Sequence, residues 1–159
     1  PEQKVDLTFT ENQVLFNTDN TLVISRLIGG EFPKYKMVVP GECISKIRIN
    51  TSELQDATKR AALLTNEGAP IVKMQITDDT LIVTSHTEAG HVHEELKTSR
   101  DGEQLQFAFN ARYLNDILKV IGSEESYIEF TGPLSPGIIK PVSDVEYISL
   151  LLPVRLRGD

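Results

Sequence analysis

Apolar and polar residues alternate over short segments along most of the chain. Val5, Leu7 and Phe9 flank Asp6 and Thr8, and the apolar sets Val14–Phe16 and Leu22–Ile24 follow. A period of two marks strands with one face buried. Asn12-Gln13 and Asp19-Asn20 supply turn chemistry between them, so residues 5–28 are predicted to form a three-strand antiparallel meander ended by Gly29 and Gly30. Phe32, Pro33, Lys34 and Tyr35, then Val38, Val39, Pro40 and Gly41, form an extended, proline-bounded stretch suited to a linker. A domain boundary is placed near residue 40, giving parts 1–40 and 41–159.

Beyond it, the period changes twice to that of a helix. Alternating strands ending in Asn50 and Asn110 lead into helices predicted over 51–65 and 111–121, with each asparagine as N-cap. In the second, Leu114, Ile117, Leu118 and Ile121 share one face, and Arg112, Asp116 and Lys119 the other. In the first, Leu54, Ala57, Ala61 and Leu64 face inward and Ser52, Asp56 and Lys59 outward, with Leu63 off the pattern. A shift of 60 residues superposes Leu54 on Leu114, Asp56 on Asp116 and Lys59 on Lys119, an internal repeat. Strands at 71–77, 81–85 and 91–96 follow the first helix, and strands at 127–131, 137–140 and 145–152 the second. The class is α+β, a βαβββ unit used twice. The opening meander then reads as the last three strands of an earlier unit, its unpaired edges open to strand addition between chains.

Composition adds limits. The chain has 159 residues, 40% hydrophobic and 25% charged, with a net charge of −7, which fits an acidic globular protein and excludes a disordered tail. No apolar run approaches the roughly 20 residues of a membrane helix, no signal peptide is recognisable, and the single cysteine, Cys43, fits a reducing compartment, so a cytoplasmic location is expected. The chain begins Pro1-Glu2-Gln3-Lys4 without an initiator methionine, as a cut fragment would.

Candidate chemistry is sparse. His91 and His93 point to one side of a strand, with Glu94, Glu95 and His86 near, but zinc needs ligands converging from separate elements and one strand supplies at most two. No metal or cofactor is expected. Nucleophile elbows and phosphate-cradling glycine loops are missing, so no catalytic residue is assigned. Lys59, Arg60, Arg112 and Lys119 lie on or beside the outer helix faces, either as a solvated surface or as a weak phosphate track. The end of the chain, Leu150-Leu151-Leu152-Pro153-Val154-Arg155-Leu156, is densely apolar where most chains turn polar, which leaves sheet closure or an apolar lip for a partner peptide. A metal-dependent enzyme using His91 and His93, and a generic interaction module, remain as alternative readings.

Phe32-Pro33-Lys34-Tyr35, Phe107-Ala108-Phe109-Asn110 with Tyr113, Leu114 and Asp116, Leu134-Ser135-Pro136, and the ending Leu152 to Leu156 together resemble the bacterial DNA sliding-clamp family, the beta subunits of DNA polymerase III. The resemblance runs in order along essentially the whole chain. It implies the DNA-clamp fold, with 1–40 as the end of the middle domain plus linker and 41–159 as the third domain. It implies an accessory processivity subunit of a DNA-directed DNA polymerase (a nucleotidyltransferase complex), without catalytic residues, that encircles duplex DNA as a homodimeric ring and slides on it. Lacking a first domain, this chain is expected not to close a ring. Implied partners are the polymerase alpha subunit, the clamp loader and repair proteins, held through a short motif in an apolar pocket. By matching segments, that pocket draws on Pro33, Met37, Val38, Asn110, Tyr113, Leu134, Pro136, Leu150, Leu152, Pro153, Val154, Arg155 and Leu156. Leu152, Val154 and Pro33 are the implied apolar anchors, and Asn110 and Arg155 the hydrogen-bonding groups. The family's Thr-Asp-x-x-Arg-Leu segment, the other pocket wall, is not in this chain. Met37 stands where many members carry arginine, and Arg157-Gly158-Asp159 extend past the usual end.

Overall fold

The computed structural model describes residues 4–32, 34, 37, 39, 41–64, 70–88, 90–143 and 146–155. The chain divides into two compact units, Pro1–Lys36 and Met37–Asp159.

The first unit holds β1 (Asp6–Phe9), β2 (Gln13–Asn17) and β3 (Leu22–Arg26), an antiparallel meander in that order. Its turns are closed as the sequence suggests: Thr10 N–H donates to Gln13 O, and Thr18 N–H to Thr21 O, both at 2.9 Å. Among its described residues only Val14 is buried. A three-strand meander taken by itself buries little of its own faces.

The second unit runs β4 (Ser45–Asn50), α1 (Thr51–Leu63), β5 (Ile71–Ile76), β6 (Thr80–Thr87), β7 (Gly90–Gly102), β8 (Gln106–Asn110), α2 (Ala111–Ile121), β9 (Glu125–Phe130), β10 (Gly137–Pro141) and β11 (Ser149–Leu151). This is the βαβββ unit twice. The strands form one antiparallel eight-stranded sheet in the order β11-β10-β9-β4-β7-β6-β5-β8. The two repeats interlock, because β4 of the first pairs with β9 of the second, and β8 of the second pairs with β5 of the first.

Both helices start as the sequence predicts. Asn50 Oδ1 accepts the N–H of Glu53 at 3.0 Å, and Asn110 Oδ1 accepts that of Arg112 at 2.9 Å. Each satisfies an N–H that the first turn leaves orphaned. Gly122, at φ 66°, ends α2 in the left-handed conformation glycine adopts cheaply. The helices pack on each other and on one face of the sheet, with Leu54, Ala57 and Ala61 of α1 and Leu114 and Leu118 of α2 buried. Burying a side chain such as Leu54 or Leu114 stabilises by about 1.5–3 kcal/mol.

Three differences from the sequence reading have physical causes. Helix α1 ends at Leu63 with Leu64 as C-cap, half-buried, and Thr58 takes a core place instead, its hydroxyl donating to Leu54 O at 2.7 Å. A hydroxyl satisfied by the preceding turn can be buried without penalty. Strand β7 continues to Gly102 because it changes partner, pairing with β6 through Lys97 and with β4 from Thr98. Strand β11 covers only Ser149–Leu151. Among the described residues, no helix is long and apolar enough to cross a membrane.

Candidate functional site

The end of the chain passes from one sheet edge towards the other. Leu151 pairs with Gly137 of β10, Pro153 has no N–H to continue that ladder, and the Val154 N–H then donates to Ala108 O of β8 at 2.8 Å. Val154 is thereby fixed between two cavities. One, of about 590 Å³, is bounded by Asn110, Tyr113, Asp116 and Ile117 from α2 and its cap, and by residues 150–154. The other, of about 520 Å³, is bounded by Gln106, Phe107, Ala108, Pro133, Leu134, Val154 and Arg155.

Three large side chains on these walls stand in solvent: Leu152 at 70% exposure, Leu134 at 63% and Tyr113 at 59%. Apolar groups gathered around concavities mark binding surfaces. The floor is rigid, since Phe107 packs against Phe130 and Phe109 with ring centroids 4.3 and 5.1 Å apart. A Cβ at Gly137 would lie 2.8 Å from Cζ of Phe109, so glycine is what lets β10 approach this cluster.

Polar groups at the rim are few. The oxygen of Asn110 is occupied by the Arg112 N–H, which leaves its amide NH₂ as a donor to a ligand carbonyl. Asp116 lies 3.5 Å from Lys119, and Arg155 is exposed beside the smaller cavity.

Of the residues named from sequence, Asn110, Tyr113, Leu150, Leu152, Pro153 and Val154 surround the larger cavity. Leu134, Val154 and Arg155 meet at the smaller. Pro136 is half-buried in the loop after Leu134 and is in neither lining, while Met37 is 81% exposed. Pro33, Val38 and Leu156 lie outside the described residues. Sequence reasoning missed Gln106, Phe107, Ala108, Pro133, Asp116, Ile117 and Leu151. For two of these a signal was present, because strand alternation puts Gln106 and Ala108 on the face of Asn110.

The basic helix residues are mostly engaged. Lys59 Nζ donates to Gln55 and Asp56 at 3.0 and 3.1 Å. Arg60 is engaged as well: its guanidinium donates twice to Glu94 of β7, at 2.5 and 2.8 Å. Those bonds hold the Glu94 carboxyl below the usual carboxylate range, against the opposing effect of burial, and raise Arg60 further. Among the described residues, Arg112 has no ion-pair partner.

Interlocked βαβββ repeats, paired helices on one face and an apolar groove along the last strand define a clamp-type α+β domain. A family model described as DNA polymerase III beta subunit, C-terminal domain, matches residues 36–155. The beta sliding clamp of Staphylococcus aureus is 36% identical over 157 residues, covering 97% of this chain and 42% of that protein. In three dimensions the chain is similar to the DNA polymerase sliding clamp of Bacillus subtilis, with TM-score 0.89, 35% identity, and 96% of this chain and 41% of that one covered. The DNA polymerase III beta chain of Streptococcus pneumoniae gives TM-score 0.89 and 32% identity over the same shares. The chain belongs to the DNA polymerase III beta subunit family, and spans about two fifths of the length of its curated relatives.

Proposed function

We propose that the chain acts within a DNA polymerase processivity factor as the part that receives partner peptides. Residues 1–40 are the end of a middle domain and its linker, and 41–159 are the third domain. The observation that carries this reading is the pair of cavities sharing Val154, walled by exposed Leu152, Leu134 and Tyr113. They suit a short linear motif: apolar side chains enter the cavities, the Asn110 amide donates to a glutamine or backbone carbonyl, and Arg155 holds an acidic or carbonyl group at the rim. The family resemblance would add Pro33, Met37, Val38, Pro136 and Leu156 to the residues that receive the peptide. The polymerase alpha subunit, the clamp loader and repair proteins are the partners.

Helices α1 and α2 face duplex DNA, with Arg112 as the readiest phosphate contact and Lys59, Arg60 and Lys119 restrained by acidic or amide neighbours. Contacts that few and that tethered are weak and sequence-blind, which permits sliding. The whole protein is a cytoplasmic homodimeric ring that tethers polymerase and performs no bond chemistry.

The test is a fluorescence titration of a labelled peptide, carrying glutamine followed by a leucine-phenylalanine pair, against the chain, its Leu152→Asp variant and the full-length gene product. Saturable binding lost in the variant is expected. Failure of the full-length product to bind would refute the reading.

A further inference from the structure

We infer that the outer face of the β6–β7 hairpin is a three-histidine site for a transition-metal cation of the Zn²⁺ or Ni²⁺ class. The chain has 3 histidines, and all of them fall on this hairpin. His86 and His91 are direct partners across the antiparallel ladder. Such partners have Cβ atoms about 4.5–5.5 Å apart. His93, two residues beyond His91, shares its face, with Thr84 opposite.

The core fixes this register. On the reverse face Leu81, Val83, Ser85 and Leu96 are buried, so a one-residue slip would drive the histidines inward and the apolar set out. All three imidazoles are exposed. Spacing along one strand supplies two ligands; the pairing supplies the third from the neighbouring strand, leaving a tetrahedral ion one position for water.

The surroundings separate ligand from support. Glu94 points to the other face and is held by Arg60. Glu95 is on the histidine face, and its Oε1 lies 3.0 Å from His93 Nε2. A carboxylate on one ring nitrogen fixes the tautomer and leaves the other, here Nδ1, for a metal. Among the described residues, no three such side chains converge as they stand, so the ligands close on the ion by rotation about χ1 and χ2. The exposed rings of His86 and His91 make that rotation without repacking, towards a His93 ring that Glu95 already holds. The bound ion ties β6 to β7 beside the turn of the hairpin and needs neither peptide nor DNA.

Titration calorimetry with Zn²⁺ and Ni²⁺ on the 159-residue chain tests this, in a Cys43→Ser background that removes the only thiol. One ion per chain is expected, with the three imidazole NMR signals shifting together, and His86→Ala and His91→Ala each weakening binding by about tenfold or more. Absence of saturable binding, or an unchanged affinity in His86→Ala, would overturn the site. Circular dichroism of the metal-free variants checks folding, and His86→Gln replaces any alanine variant that fails it.

Discussion

The Val154 N–H donates to the Ala108 carbonyl at 2.8 Å, joining the last described residues of the chain to the edge strand β8. The bond resumes pairing after Pro153 and holds the terminus as a partition between two cavities. Leu152, just before it, points into solvent, while Leu151 is buried. The same few residues close the sheet and line the proposed binding surface.

Leu152 is therefore expected to contribute to the proposed peptide binding and hardly to folding. Leu152→Ala is expected to change unfolding free energy by no more than about 0.5 kcal/mol. It should weaken the labelled peptide by about 2 kcal/mol, roughly thirtyfold. Parallel urea denaturation and fluorescence titration check the pair, and an equal loss in both would show that the side chain is structural.

The observed cap role of Asn110 and its proposed peptide role separate by chemistry. Asn110→Ala removes the α2 cap at a cost of about 1 kcal/mol and also weakens the peptide. Asn110→Asp keeps an acceptor for the Arg112 N–H but loses the amide donor. It should retain stability and still bind peptide poorly. Thermal melts beside titrations read this directly, and full peptide binding by Asn110→Asp would remove Asn110 from the recognition surface.

Both asparagine caps, the range of α2 and the doubled βαβββ order follow from local spacing, because capping and amphipathicity are properties of neighbours in sequence. The full course of β7 does not. Its continuation, Lys97 to Gly102, is polar and exchanges β6 for β4 at Thr98, which only tertiary pairing decides. Helical spacing placed Arg60 beside the outer face but could not show that its long side chain reaches Glu94, 34 residues away. Likewise the opposition of His86 and His91 depends on hairpin register rather than on composition. The apolar terminus was legible as unusual, whereas its cavities required Gln106, Ala108 and Ile117 from elements distant in sequence.

Gly102 sits where β7 meets β4, at φ 102°, and a Cβ there would lie 2.1 Å from Ile44 O. Gly102→Ala must move backbone that also carries the Glu103 N–H to Ile44 O bond, at 2.9 Å, and the Ser45 hydroxyl to Glu103 O bond, at 2.7 Å. A loss of about 2 kcal/mol or more is expected. Chemical denaturation measures it, and a near-neutral result would mean that this strand end relaxes freely.

The Arg60–Glu94 pair restrains a cation on a helix proposed to face DNA. Because the Arg60 hydrogen bonds depress the Glu94 carboxyl, the pair's stabilisation is present above the unfolded value of about 4.3 and disappears as pH falls through the lower folded value. The stability gap between the parent and Glu94→Gln should therefore be constant near neutrality and close on acidification below about pH 4. The same substitution releases Arg60. In the full-length gene product at low salt, Glu94→Gln is expected to bind duplex DNA more tightly, with a salt dependence steeper by about one counterion. Arg60→Ala should leave the weak parental binding nearly unchanged, since Glu94 already holds that side chain. If Glu94→Gln alters acid stability but not the salt slope, Arg60 does not face the duplex and the phosphate contacts fall to Arg112.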